Sequence, residues 1–122
     1  MKVIEKPWGR EEILEQNDKY CLKRIIINPK HRLSLQYHVK KIETIAVVSG
    51  PLGLVIDTDF GITGRPGGVS QRVLKTGDHI TIKPGQIHRF CAGESEVVLY
   101  EASTPELEDV IRLEDDYKRD NP

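Results

Sequence analysis

Residues 33–56 read Leu33-Ser34-Leu35-Gln36-Tyr37-His38-Val39-Lys40-Lys41-Ile42-Glu43-Thr44-Ile45-Ala46-Val47-Val48-Ser49-Gly50-Pro51-Leu52-Gly53-Leu54-Val55-Ile56. Leu33–His38, Glu43–Ser49 and Leu52–Ile56 are short segments that read as strands, and Ser49-Gly50-Pro51 is a turn signal between the last two. The same texture extends in both directions. Gly9–Leu14, Tyr20–Ile27, Val69–Leu74, Asp78–Ile82, His88–Cys91 and Glu96–Ala102 also read as strands. They are separated by Gln16-Asn17-Asp18, Asn28-Pro29-Lys30, Thr76-Gly77, Pro84-Gly85 and Ala92-Gly93. No window before the tail keeps a 3.6-residue apolar period, so the expected class is all-β, a sandwich or barrel. After Pro105 the chain turns acidic, and the Leu107-Val110-Ile111 spacing predicts a short C-terminal helical turn. Asp57–Gly68 holds four glycines and Pro66, and reads as a mobile hairpin loop, either a linker or a lid over a site.

With 122 residues the chain is expected to be one domain, residues 1–122, large enough to close a core without disulfide staples. Lys+Arg total 18 against 19 Asp+Glu, which leaves no basic excess for nucleic acid, and 6% aromatic residues argue against base-stacking platforms. Apolar runs such as Ile42–Val48 are broken by Glu43 and Thr44 and fall far short of the ~20 residues of a membrane span. Lys2-Val3-Ile4-Glu5-Lys6-Pro7 has no apolar signal-peptide core. A cytoplasmic protein is expected, with Cys21 and Cys91 reduced.

Strand alternation sorts the polar residues. On 33–38, Ser34, Gln36 and His38 share one face, so Gln36 and His38 form a pair two residues apart. Glu43 lies on the face of Ile45 and Val47, where an unpaired carboxylate is costly to bury. His88 follows the Pro84-Gly85 turn and shares its face with Phe90. Gln36, His38, Glu43 and His88 thus offer two imidazole nitrogens and two oxygens, a donor set suited to Zn²⁺, Mn²⁺, Co²⁺, Fe²⁺ or Ni²⁺. A metal-free polar network is the alternative.

These residues resemble the two motifs of the cupin superfamily. Gln36-Tyr37-His38, Glu43 and Gly50 stand where its first motif has His-x-His, Glu and Gly, with Gln in place of the first His. Gly77, Pro84, Gly85 and His88 follow its second motif. A closer resemblance covers nearly the whole chain. Lys6-Pro7-Trp8-Gly9, Arg32-Leu33-Ser34-Leu35-Gln36-x-His38, Val47-Val48-Ser49-Gly50, His88-Arg89 and Ile111–Arg119 look like type II phosphomannose isomerase, in many members the C-terminal half of a bifunctional mannose-1-phosphate guanylyltransferase. The chain carries Lys41-Ile42-Glu43-Thr44-Ile45 where that family commonly reads Arg-x-Glu-His-Trp.

The resemblance implies a double-stranded β-helix, a jelly-roll-like barrel, free-standing from any nucleotidyltransferase part. It implies a metal-dependent isomerase that interconverts mannose 6-phosphate and fructose 6-phosphate through an enediol. Glu101 is then the nominee for general base and Arg119 for a second catalytic group. Arg32, Lys41, Arg89 and Arg112 are nominees, with Arg119, for holding the phosphate at the barrel mouth. A non-catalytic cupin that binds a sugar or sugar nucleotide, or an iron-dependent oxygenase, are the alternatives. Lys2-Val3-Ile4 resembles the N-terminal strand that small cupins pair with a partner, so a homodimer is expected; neither nucleic acid nor membrane is an expected partner.

Overall fold

The structure, a computed structural model, describes residues 1–65 and 67–122. Among the described residues, eleven strands run in chain order: β1 (Lys2–Lys6), β2 (Gly9–Gln16), β3 (Cys21–Ile27), β4 (Leu35–Tyr37), β5 (Glu43–Ser49), β6 (Leu52–Asp57), β7 (Val69–Leu74), β8 (His79–Ile82), β9 (His88–Cys91), β10 (Val97–Ser103) and β11 (Ile111–Glu114). One four-residue helical turn, α1 (Phe60–Thr63), lies between β6 and β7. The strands form two antiparallel sheets, ordered β1-β2-β3-β10-β5-β8 and β11-β4-β9-β6-β7.

Period-two alternation builds the core between the sheets. Ile25 and Ile27 of β3, Ile45 and Val47 of β5 and Val97 and Leu99 of β10 meet Leu52, Leu54 and Ile56 of β6 and Phe90 of β9, with Trp8 and Leu33 closing the ends. At ~25 cal/mol per Å² of apolar surface, this cluster is the main stabilising term of the fold. Gly9 is needed for Trp8 to enter: at its φ of 154°, a Cβ would sit 2.0 Å from the carbonyl oxygen of Ile26.

Each of the nine strands expected from the sequence is present within a few residues. The C-terminal helical turn is not: residues 111–114 form β11, which pairs with β4 (Ile111 with Tyr37, Arg112 with Gln36). Three apolar residues at helical spacing cannot offset helix nucleation, whereas the open edge of β4 supplies hydrogen-bond partners at once. In the Asp57–Gly68 connection, the buried Asp57 carboxylate accepts the backbone N–H of Asp59, Phe60 and Gly67, which anchors the base of the loop. Pro66, counted among its turn formers, lies outside the described residues. Lys2–Lys6 pairs within the chain, along β2, and β1 ends the sheet. Cys21 and Cys91 are unbridged. Among the described residues, no helix is long and apolar enough to cross a membrane.

Candidate metal centre and cavity

Three side chains converge between the sheets. His38 follows β4, Glu43 opens β5, and His88 opens β9; all three are buried, and their ligating atoms lie within 4.8 Å of one another. His88 Nε2 is 3.3 Å from Glu43 Oε1, and His38 Nε2 is 3.7 Å from Glu43 Oε2. Local structure delivers each ring. Gly85, at φ 83°, turns the chain between β8 and β9 and donates its N–H to the His38 carbonyl at 2.6 Å. A Cβ there would both strain the turn and approach the Phe60 ring to 3.0 Å.

Hydrogen bonds at the far ring nitrogens set the near ones. His38 Nδ1 lies 2.5 Å from the Asp109 carbonyl oxygen and His88 Nδ1 lies 2.8 Å from that of Gln86. A carbonyl only accepts, so each Nδ1 carries the proton and, in the neutral ring, each Nε2 presents its lone pair to the shared point. Among the described residues, both Nε2 atoms and both Glu43 oxygens are buried without an aligned hydrogen bond. Buried polar atoms left so are costly, and a divalent cation at the shared point would satisfy them together. These residues therefore fit a metal ion. Gln36 stands beside them on the cavity wall, paired in register with His88, its Oε1 accepting the Ser34 hydroxyl at 2.6 Å. One lone pair of that oxygen stays available.

A second buried group adjoins the first. Lys41 Nζ lies 3.1 Å from Glu43 Oε2 and 3.2 Å from Glu101 Oε2. Burial alone would lower the Lys41 pKa, but Glu101 and Glu43 outweigh it and hold the ammonium above its ordinary value. Burial would likewise raise Glu43, yet the two imidazoles in their protonated form, donating from Nε2, and the Lys41 ammonium hold its carboxyl well below the usual carboxylate range. For Glu101, burial and then the Glu43 charge dominate over Lys41 and Lys23, and its carboxyl is pushed up to about 7.

The group opens into a cavity of about 180 Å³ lined by Gln36, His38, Lys41, Glu101, Arg112 and Arg119, among others. Of the five basic residues expected at the mouth, three are engaged elsewhere. Lys41 is clamped inside between two carboxylates. Arg32 makes a two-pronged pair with Asp116 at 2.7 and 2.8 Å. Arg89 donates to the Leu33 carbonyl and to Glu114, tying β9 to the C-terminal segment. Neither Arg32 nor Arg89 lines the cavity; on β9, Phe90 lines it and the neighbouring Arg89 does not.

Arg112 and Arg119 do line it. Arg119 is paired with Asp115 at 2.8 Å and rests over the Tyr117 ring. Arg112 donates one Nη to the Asp120 carbonyl, leaves Nε buried without a partner, and has no carboxylate within ion-pair distance among the described residues. Burial, then the neighbouring Arg119 charge, lowers its pKa. Lys23 is a cavity cation that the sequence reading passed over. It is buried on the core face of β3 with Ile25 and Ile27 and pairs with Glu11 at 3.2 Å. A lysine in the inward phase of Cys21-x-Lys23-x-Ile25-x-Ile27 was the available signal. Thr44, at the position where the related motif has His, points to the other face of β5 and bonds Thr81 at 2.8 Å. None of the described residues of the Asp57–Gly68 loop lines the cavity.

Comparison with known proteins agrees with this architecture. The family model described as mannose-6-phosphate isomerase C-terminal matches residues 1–115. The chain is 29% identical over 118 residues to the mannose-1-phosphate guanylyltransferase of Escherichia coli K12, covering 97% of this chain and 23% of that protein. It thus spans about a quarter of the length of the curated relatives it matches over nearly its whole length. Among solved structures, the capsular polysaccharide assembling protein CapF of Staphylococcus aureus superposes with a TM-score of 0.75 at 16% identity, covering 93% of this chain and 32% of that one. A sugar phosphate isomerase of the cupin superfamily from Silicibacter pomeroyi superposes with a TM-score of 0.63 at 19% identity, covering 78% and 58%. At such identities the likeness speaks for the fold, a cupin barrel, while the family match spans almost the entire sequence. The chain belongs to the mannose-6-phosphate isomerase C-terminal family.

Proposed function

We propose that the protein is a metal-dependent sugar-phosphate isomerase that interconverts mannose 6-phosphate and fructose 6-phosphate. The observation that supports this most is the convergence of two imidazole lone pairs and a buried carboxylate beside a cation-lined cavity. His38, Glu43 and His88 would hold the ion, with Gln36 as a fourth donor. Two nitrogens with oxygens admit Zn²⁺, Mn²⁺, Co²⁺, Fe²⁺ or Ni²⁺. When bound, such an ion supplies Lewis acidity toward the sugar's carbonyl and hydroxyl oxygens.

The chain's own residues carry the rest. Glu101, whose carboxyl burial and the Glu43 charge push up to about 7, takes the C2 proton and returns it to C1, while the O2 hydroxyl proton passes to O1. The exchange is balanced: the aldose becomes the ketose through an enediol with no other reactant. Arg112 and Arg119, with Lys23 deeper in the wall, receive the phosphate. A homodimer is part of the reading, since the outer edge of β1 is unpaired within the chain.

The test is a coupled assay for fructose 6-phosphate formed from mannose 6-phosphate, on protein stripped with chelator and resupplied with each ion in turn. Turnover restored by an ion, and lost together with metal retention in Glu43→Ala, supports the proposal. Folded protein that turns over with no ion, or an active Glu43→Ala depleted of metal, refutes it.

A further inference from the structure

We propose that Asp109 is a positioning residue of this metal centre, orienting His38 from the C-terminal segment. The inference rests on the reading of His38, Glu43 and His88 as ligands. The two imidazoles are held in different ways. His88 is oriented locally, its Nδ1 bonding the carbonyl of Gln86 in the same turn. His38 has no such neighbour. Its Nδ1 bonds the carbonyl of Asp109, seventy-one residues along the chain.

The side chain of Asp109 completes the grip. Residues 39–42 form the turn from β4 to β5, with all four amides outside the strand ladders; that of Ile42 donates to Thr104 Oγ1, which leaves those of Val39, Lys40 and Lys41. The Asp109 carboxylate accepts all three: Val39 N–H at 2.9 Å on Oδ1, and Lys40 and Lys41 N–H at 2.7 and 2.9 Å on Oδ2. One residue therefore fixes both the ring of the first ligand and the backbone that leads to Glu43. The segment that carries Asp109 continues into β11, where Arg112 lines the cavity. Docking of residues 105–114 consequently assembles the metal ligands and the anion-facing arginine together. Outer hydrogen bonds to ligating imidazoles hold ring direction and basicity, and their loss lowers metal affinity by roughly 10- to 100-fold.

The experiment uses the full chain with Co²⁺ as probe, measuring affinity by chelator competition and the site's visible absorption. Asp109→Ala is expected to weaken Co²⁺ binding about 10- to 100-fold and to alter the absorption spectrum. Asp109→Asn, which keeps one acceptor oxygen, shifts both less and serves where the alanine variant folds poorly. A metal-free readout comes from NMR. The Nδ1–H protons of His38 and His88 are expected to give two slowly exchanging downfield resonances; Asp109→Ala keeps the carbonyl but releases the turn that its carboxylate holds, so the His38 resonance shifts and exchanges faster while that of His88 is unchanged. A purely structural role would lower thermal stability and leave Co²⁺ affinity and spectrum unchanged. Wild-type affinity together with an unshifted, equally slowly exchanging His38 resonance in Asp109→Ala overturns the proposal alone. A wild type that binds no Co²⁺ overturns the metal reading and the proposal with it.

Discussion

Replacing Lys41 by Met tests the charge arrangement beside the metal centre directly. The side chain is 6% exposed and lies 3.1 and 3.2 Å from two carboxylates whose own side chains are 1% and 5% exposed. At an effective dielectric constant near 20, each contact is worth about 5 kcal/mol of Coulomb energy. Desolvating the ammonium takes back several kcal/mol, and methionine recovers part of the packing. The remaining loss falls in the range for breaking a buried pair, about 3–5 kcal/mol, because Glu43 and Glu101 then face each other without a cation. For a chain of this size, that is a fall in Tm of about 12–20 °C. Removing one carboxylate as well must relieve the strain, so Lys41→Met/Glu101→Gln should be more stable than the sum of the two single changes by at least ~1 kcal/mol. A divalent ion, adding positive charge next to Glu43, should restore more stability to Lys41→Met than to wild type. Urea unfolding in chelator and again with Zn²⁺, on all four proteins, measures these terms. Lys41→Met within 0.5 kcal/mol of wild type in chelator, or strictly additive single changes, would refute the reasoning.

Arg112→Ala should raise KM for the sugar phosphate by about 10- to 100-fold, the equivalent of about 1.5–3 kcal/mol for a hydrogen bond to a charged group, because its guanidinium faces the cavity without a carboxylate. Arg32→Ala should leave KM unchanged and reduce stability by no more than ~1 kcal/mol, since its partner Asp116 is an exposed surface acid; steady-state kinetics on the pair checks both. Burial opposes, but the Arg119 guanidinium and the backbone N–H groups of Arg119 and Tyr117 prevail, and they lower the Asp115 carboxyl to about 2 from its ordinary 3.8. Such a depressed acid stabilises the fold fully above pH 4 and loses that contribution as the pH falls toward 2. Asp115→Asn should therefore be less stable than wild type by about 2 kcal/mol at pH 6, a gap that urea unfolding should find closing by pH 2. Light scattering at micromolar concentration should give the mass of a dimer, and a monomeric mass would remove that part of the reading.

The sequence by itself was enough for nine of the barrel's strands. Period-two alternation interrupted by Gly, Pro and Asn marks strand limits locally, which is why β2 through β10 could be read directly from residues 9–103. His38, Glu43 and His88 were legible for the same reason: each polar residue sits in the inward phase of an apolar strand or its turn. Tertiary structure alone decided the rest. The three apolar residues after Pro105 carry helical spacing, but the open edge of β4, more than seventy residues away, turned 111–114 into a strand. A positive charge in the sequence does not say which carboxylate it will meet. Lys41 was drawn inward by Glu43 and Glu101, Arg32 and Arg89 were taken by Asp116 and Glu114, and Lys23 entered the cavity wall. Asp109 reads as one more acid in an acidic tail until the fold lays its carboxylate under three amides and its carbonyl under His38. Strand faces follow from the backbone's own repeat and are written in neighbouring residues. Ion pairs and ligand orientation join residues distant in the chain, so only the closed barrel settles them.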